Sequence, residues 1–429
     1  MEHEITFIHT ADWHLGKPFA GIEDPVKRSR VQQERLESVR RIQRVVRERK
    51  AQFVVIAGDL FDSVTPTHAT ISAGLGAISE LGVPVFVIPG NHDYGGPESL
   101  WDQPFFLREQ QRIAPNFVLL AERTHSTIPV KDQSGNEVNV ALFPCPLLRR
   151  HESDDPTAWL REYDFSKVGE SPRIVIAHGS TIDFADGLSH EDEEGLMRSS
   201  NTIFLERLPK EEVDYIALGD FHGCMKVSSK AWYSGTPEID RFPKTDQQPG
   251  HVLSTCVIRG EQPRTTMIPT GRFRWISLNI SLDDASSVES ERHLGAAYLE
   301  QVLTQATCSR SEDEPGFNGC LVNAALSGAV SLEGRIELDQ IIESWQARLL
   351  RLKLSDTVMV APTQEEIHVL TTRSQDPIIS RVATELLARL EDGGHAEEPD
   401  VIRQAISILY SIAHSSNNNE AFDPAAVIP

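Results

Sequence analysis

The sequence predicts an α/β fold in which a mixed sheet, covered on both faces, carries ligand residues along one edge. Over residues 1 to about 260, short apolar runs alternate with helical stretches, the pattern of strands packed between helices. Five of those runs stop at side chains suited to a hard metal ion. A polar turn, Asp132-Gln133-Ser134-Gly135-Asn136, separates Ser126–Val130 from Glu137–Phe143 in the manner of a hairpin, so the strands are not all parallel.

In chain order, the run Ile5-Thr6-Phe7-Ile8 leads to Asp12-Trp13-His14, and a helix is predicted over Pro25–Lys50. Phe53-Val54-Val55-Ile56 leads to Gly58-Asp59, followed by a helix over Thr67–Leu81. Val85-Phe86-Val87-Ile88 leads to Gly90-Asn91-His92-Asp93, followed by a helix over Glu98–Glu109. After the hairpin, Ile174-Val175-Ile176-Ala177 leads to His178, and Tyr215-Ile216-Ala217-Leu218 leads to Gly219-Asp220-Phe221-His222. Such runs read as strands of one buried sheet whose C-terminal ends deliver ligands to one place, the edge where α/β folds put their chemistry.

A length of 429 residues suits two or three domains. The first is expected over 1–265, ending at the turn Gly260-Glu261-Gln262-Pro263-Arg264. A smaller α/β module is expected over 273–362: strand Phe273–Ser281, helix Val288–Ala306, strand Leu321–Leu326, helix Leu338–Leu352 and strand Thr357–Ala361, with Ser309–Pro315 a loop. The segment 375–414 holds two helical stretches, Pro377–Leu390 and Pro399–Ala413, each with apolar residues at three- and four-residue spacing. They either pack on the body or form a hairpin that grips a partner. Residues 415–429 are expected to be disordered, and no internal repeat is present.

The formal net charge is −22, which excludes non-specific nucleic-acid binding through the whole surface. A DNA substrate would have to be attracted by local basic patches, metals or a partner. The cysteines Cys145, Cys224, Cys256, Cys308 and Cys320 are widely spaced and form no C-x-x-C pair, which suits a reducing compartment. Cys224, near His222, reads as a packing residue. The N-terminus has no basic and apolar leader pattern, and no run approaches the ~20 apolar residues of a membrane span, so the expected location is the cytoplasm.

The residue types point to a site for two divalent cations, which can clamp the attacking and leaving oxygens of a phosphoryl displacement. Asp12 and His14, one residue apart, can turn to the same ion. Asp59, on a tight Gly-Asp turn, is the natural bridge; Asn91 offers an amide oxygen; His178 and Asp220 complete one shell and His222 the other. His92 is left to protonate a leaving alkoxide or to stabilise the charged phosphorane. Asp62 and Asp93 suit a supporting role, fixing loops or a ring tautomer. Cysteine is absent from these motifs, which disfavours a structural zinc site.

This series of motifs resembles the calcineurin-like metallophosphoesterases. Within them, Asp12-Trp13-His14-Leu15-Gly16, Gly58-Asp59-Leu60-Phe61-Asp62, Asp214-Tyr215-Ile216-Ala217-Leu218-Gly219 and Tyr233-Ser234-Gly235-Thr236-Pro237-Glu238 resemble the SbcD type, the nuclease subunits of a bacterial DNA-repair complex. Phe143-Pro144-Cys145-Pro146-Leu147-Leu148-Arg149 is similar to a proline-rich segment of that family. The likeness covers about residues 5–240 and is only architectural over 273–361, where the family has a capping domain. It implies a four-layer α/β/β/α sandwich, two Mn ions, exo- and endonucleolytic hydrolysis of DNA, a homodimer, and an SMC-like ATPase partner of SbcC type. One motif departs: the family's usual Gly-His-x-His is here Gly219-Asp220-Phe221-His222. A carboxylate in place of an imidazole is a harder ligand, which favours Mn or Mg over Zn. Two dications against Asp12, Asp59 and Asp220 still leave a net positive site.

The helix Pro25–Lys50 carries ten Lys and Arg residues, among them Arg40, Arg41 and Arg44, which can track a phosphate backbone or simply form a solvated face. After His178 an acidic segment, Asp183, Asp186 and Glu191 to Glu194, either repels DNA at the rim or is a solvated loop. Two other functions fit the same residues: a phosphodiesterase for small substrates, and an architectural DNA-end or ATPase-binding subunit with weakened catalysis.

Overall fold

Alternate side chains of the central strands face two different cores. The computed structural model that shows this describes residues 3–132, 134–181, 200–243, 248–282, 294–309, 316–361, 363–373, 376–392 and 399–415. The chain divides into two units, residues 1–273 and 274–429.

In the first unit the strands are β1 (Ile5–Thr10), β2 (Phe53–Ala57), β3 (Val85–Ile88), β4 (Phe117–Leu119), β5 (Ser126–Lys131), β6 (Glu137–Cys145) and β7 (Arg173–His178). They continue with β8 (Ser180–Thr181), β9 (Thr202–Ile203), β10 (Tyr215–Gly219), β11 (Met225–Lys226), β12 (Ala231–Tyr233), β13 (His251–Val257) and β14 (Arg264–Pro269). They form two six-stranded mixed sheets, ordered β14-β13-β1-β2-β3-β4 and β11-β12-β10-β7-β6-β5. The two sheets agree with the α/β/β/α sandwich that the family resemblance implies and correct the reading of one sheet from the apolar runs: β1, β2 and β3 belong to the first, and β7 and β10 to the second.

Strand β2 shows why both faces are apolar. Phe53, Val55 and Ala57 join Ile174, Ile176, Tyr215 and Ala217 in the core between the sheets. Val54 and Ile56 pack instead against the helices, with Val39, Ile42, Ile71 and Leu75. The Val, Leu, Ile and Phe side chains buried this fully contribute about 1.5–3 kcal/mol each. The outer face of the second sheet packs Phe143, Val175 and Ile216 against Leu160, Phe165 and Val168, which lie on 3₁₀ turns. The layers are thus helix, sheet, sheet and, among the described residues, short 3₁₀ turns.

The helices on the first sheet are α1 (Pro25–Arg49), α2 (His68–Glu80) and α3 (Pro104–Ile113). Asp24 caps α1 by accepting from the backbone N–H groups of Val26 and Lys27, Pro25 opens it, and Lys50 closes it in the left-handed region at φ 53°. The helix expected over Glu98–Glu109 is instead a 3₁₀ turn, Leu100–Asp102, followed by α3. Pro104 cannot continue a helix and holds Gln103 extended, so it starts a new one. The turn at Gly260–Arg264 joins the antiparallel pair β13 and β14 inside the first unit rather than standing at its border.

The second unit has a parallel sheet of β15 (Arg274–Ser281), β16 (Cys320–Ser327) and β18 (Arg351–Asp356), in that order, with α4 (Leu294–Thr307) and α5 (Leu332–Arg348). A smaller pair joins β17 (Ala329–Val330) and β19 (Met359–Val360). The helix expected over Leu338–Leu352 starts earlier, where the Ser331 side chain accepts from Gly334 N–H, and stops at Arg348. The third strand of the parallel sheet is therefore Arg351–Asp356, and the strand expected over Thr357–Ala361 is the short β19 of the smaller pair. A short helix, α6 (Gln364–Thr371), is an addition to the expected elements, although Thr363 and Glu366 form a capping box at its start. The tail helices are α7 (Pro377–Asp392) and α8 (Pro399–Ser415); Ile402, Ile406 and Tyr410 share a core with Leu332 and Leu370. The acidic segment after His178, the segment joining the tail helices and the tail from 416 lie outside the described residues.

Candidate metal centre

Five strand ends from the two sheets meet. Asp12 and His14 follow β1, Asp59 follows β2, Asn91 and His92 follow β3, His178 ends β7, and Asp220 and His222 follow β10. The first loops are zipped together beyond the strands: Asp12 N–H donates to Gly58 O at 3.1 Å, His14 N–H to Asp59 O at 3.0 Å and Leu15 N–H to Leu60 O at 3.0 Å. Asp12, His14, Asp59 and Asp220 all have left-handed backbone, with φ of 54°, 44°, 53° and 102°. Such conformations cost on the order of 1–3 kcal/mol each and persist where surrounding structure over-determines them. Gly58, at φ 93°, has no room for a side chain, since a Cβ would lie 2.2 Å from His178 Nδ1.

Asp59 is the centre of the cluster. Its Oδ2 lies 3.6 Å from His14 Nε2 and 3.5 Å from His178 Nε2. On one side, His178 Nε2 is 2.9 Å from Asn91 Oδ1 and 3.8 Å from Asp220 Oδ1. Its Nδ1–H donates to Ala57 O at 2.8 Å, which turns the Nε2 lone pair into the site. On the other side, His14 Nε2 and His222 Nε2 approach to 3.2 Å. Asp12 completes both sides, accepting from Asp220 N–H at 3.1 Å. Asp12, His14, Asp59, Asn91 and His178 are all buried.

Asp93 holds two of the loops, accepting from Phe61 N–H at 3.0 Å and Gly90 N–H at 2.8 Å. Asp62 Oδ1 lies 3.2 Å from His14 Nδ1, a buried atom with no aligned hydrogen bond. The Asp62 carbonyl accepts from His92 Nδ1–H at 2.9 Å, and His92 N–H donates to Asp59 Oδ1 at 2.9 Å. His92 therefore stands over the bridging position with Nε2 as its remaining ring nitrogen.

Charge is crowded here. Burial drives the Asp12 carboxyl well above its ordinary pKa, and Asp59 and Asp220 push the same way. Burial works against charge on His178 as well, but Asp59, Asp12 and Asp220 outweigh it and hold the imidazole up at about 9. Burial and the Arg241 guanidinium bring His222 down to about 4. Carboxylates, imidazoles and an amide oxygen at these separations suit divalent cations, which relieve the repulsion among their lone pairs. Among the described residues, three sets have ligand atoms all within 4.8 Å of one another: Asp12 with His14 and His222, Asp12 with Asp59 and His178, and His14 with Asp59 and His92.

Several supporting residues escaped sequence reasoning. Asp240, 1% exposed, accepts from His222 Nδ1–H at 3.0 Å and Lys17 Nζ at 2.9 Å. Ser180 Oγ–H donates to Asp220 Oδ2 at 2.8 Å. Buried Arg35 donates to Trp13 O at 2.8 Å, Asp12 O at 3.2 Å and Thr236 Oγ1 at 3.2 Å, tying the first loop to the segment Tyr233–Glu238. In the sequence that segment stands out only for its resemblance.

The expected basic face of α1 needs correction at Arg41. This side chain turns inward to Glu34 at 2.6 Å and Glu238 at 2.8 Å. Arg40 pairs with Glu37 and Glu80, and Arg44, 69% exposed, lies 3.7 Å from Glu48. Cys224 is buried, with burial pushing its thiol up to about 12, as suits packing; none of the five cysteines forms a disulfide.

A two-layered β core with carboxylates and imidazoles gathered at its strand ends defines a metal-dependent phosphoesterase. The chain belongs to the calcineurin-like phosphoesterases, whose family model matches residues 5–224. It is similar to the SbcD subunit of the SbcCD nuclease of Bacillus subtilis (strain 168), at 29% identity over 362 residues, covering 72% of this chain and 89% of that protein. A solved structure from Thermus thermophilus matches at 12% identity with a TM-score of 0.36, covering 62% of this chain and 99% of that one. No helix among the described residues is long and apolar enough to cross a membrane.

Proposed function

We propose that this hydrolase is a DNA nuclease of SbcD type that cleaves phosphodiester bonds at DNA ends with two Mn ions, Mg serving in their place. The observation that carries this is the place of Asp59 Oδ2, nearly equidistant from His14 Nε2 and His178 Nε2. Asp12, His14, Asp59 and His222 would hold one ion, and Asp59, Asn91, His178 and Asp220 the other. When bound, the pair would neutralise charge on the attacking and leaving oxygens.

The chain's own residues supply the rest. Asp59 sets the spacing of the two shells. Ala57 O and Asp240 fix the ring tautomers of His178 and His222. His92, oriented by Asp62 O, carries a proton on Nε2 to the departing oxygen. Asp93 keeps the Phe61 and Gly90 backbone in register beneath it.

The Bacillus relative's name supports a partnership with a second subunit, and the resemblance extends this to an SMC-like ATPase and a homodimer in the cytoplasm. Exposed Arg40 and Arg44 are the proposed DNA contacts on α1, with Arg41 serving the fold.

A nuclease assay with added Mn on blunt, recessed and single-stranded ends tests the proposal. Wild-type protein should cut, and His92→Ala should lose about 10²–10⁴-fold in turnover while retaining its metal. Hydrolysis of small diesters with indifference to every DNA end would favour the small-substrate reading.

A further inference from the structure

Beside the metal centre lies a cation that neither the ligand set nor the His92 role uses. Arg241 Nη2 is 3.2 Å from His222 Nε2, and its Nε is 3.4 Å from Asp240 Oδ1. Its side chain is 53% exposed, whereas the Asp240 carboxylate beside it is 1% exposed and Asp12 and His14 are buried. The guanidinium thus rims a buried site and touches the atom through which His222 would bind an ion.

We propose that Arg241 binds a non-bridging oxygen of the scissile phosphate, with Asp240 as the anchor that positions it. This rests on the phosphodiesterase reading, since it takes His222 Nε2 as a metal ligand. A group within 3.2 Å of that ligand atom is within reach of a phosphate oxygen seated at the same ion. The guanidinium fork matches the geometry of a phosphate.

Local charge favours an anion. Asp240 is one carboxylate facing both Lys17 Nζ and Arg241 Nε, so the two cations share a single counter-charge. Lys17, 14% exposed, is held against Asp240, leaving the more open Arg241 to meet the substrate. In a chain of net charge −22, such a rim gives a phosphate a positive place to enter.

The test compares wild type, Arg241→Ala and Arg241→Lys, each loaded with Mn. Three quantities are measured: steady-state hydrolysis of bis(4-nitrophenyl) phosphate, the salt dependence of blunt-duplex binding, and Mn bound per chain. Arg241→Ala should lower kcat/KM about 10–100-fold, mainly through KM, with bound Mn unchanged. Arg241→Lys should recover part of the loss. The slope of log affinity against log salt should shrink by about 0.9, one phosphate contact. An unchanged KM and slope in an active protein overturns this inference alone, as does loss of Mn together with activity, which would make Arg241 a support for His222. Wild-type protein that neither binds Mn nor cleaves the diester overturns the phosphodiesterase reading, and this inference with it.

Discussion

His222 Nδ1 lies 3.0 Å from the Asp240 carboxylate, a pair eighteen residues apart in sequence. His222 and the nearby cations Lys17 and Arg241 outweigh the burial of Asp240 and hold its carboxyl well below the ordinary range. A carboxylate behind an imidazole fixes the ring and raises its basicity as a ligand. Asp240→Asn should therefore weaken manganese affinity about 10–100-fold, as read by calorimetric titration. Unaltered affinity would show that His222 needs no such support, or that it is no ligand.

The variant Asp220 is built into its loop. Ser180 Oγ fixes one carboxylate oxygen and leaves Oδ1 directed toward His178. At φ 102° the position also strains any bulkier residue. Asp220→His should accordingly reduce Mn-supported turnover and move metal preference toward Zn, measured as the ratio of rates in the two metals. A gain in Mn-supported turnover would speak for an architectural protein whose catalysis this aspartate has weakened.

Arg41 and Arg44 make opposite predictions. Arg41→Ala leaves Glu238 buried without its cation and should cost about 3–5 kcal/mol in chemical denaturation. Arg44→Glu, on the exposed face, should change stability by less than about 1 kcal/mol yet weaken duplex binding and flatten its salt dependence. Duplex binding that ignores Arg44→Glu would take this face of α1 out of the DNA path.

His9 ties the two sheets just behind the site. Its ring accepts from Tyr215 O–H at 3.0 Å and donates to Leu218 O at 3.2 Å, an arrangement that needs the neutral form. Burial lowers its pKa from 6.5 to about 3. The unfolded chain thus binds a proton that the folded chain refuses. The His9 contribution to stability is intact above pH 6.5 and is lost as the pH falls toward 3, by up to about 1.4 kcal/mol per pH unit. His9→Gln should flatten the acid limb of a stability–pH curve measured by denaturant; an unchanged slope would assign that limb to other groups.

Much of this was legible because the signals are local. A strand that stops at Asp-x-His, Gly-Asp, Asn-His or a lone His announces itself in a few residues, and each proposed ligand is read from such a strand end. The split into two sheets was legible only through the family resemblance, not from the runs themselves. Phe53 to Ala57 are apolar on both faces whether the neighbour is a helix or a second sheet, and strand pairing is not written in a short window. Arg41 misled because a count of cations on a helix does not say which ones find a buried glutamate. Asp240 and Ser180 carry no motif; only folding brings them to His222 and Asp220. Arg351–Asp356 escaped because its Leu352 also fits the spacing of the helix before it, which the reading ran on to that residue, whereas Pro104 and the Thr363 capping box were there to be read.

The central claim is that Asp59 bridges two cations. Anomalous diffraction from crystals grown with manganese tests it most directly. Two peaks are expected about 3.5–4 Å apart, one on each side of the Asp59 carboxylate, with His14 and His222 on one and His178 and Asn91 on the other. A single peak, or none, with His14 and His178 facing a common ion or no ion at all, would contradict it.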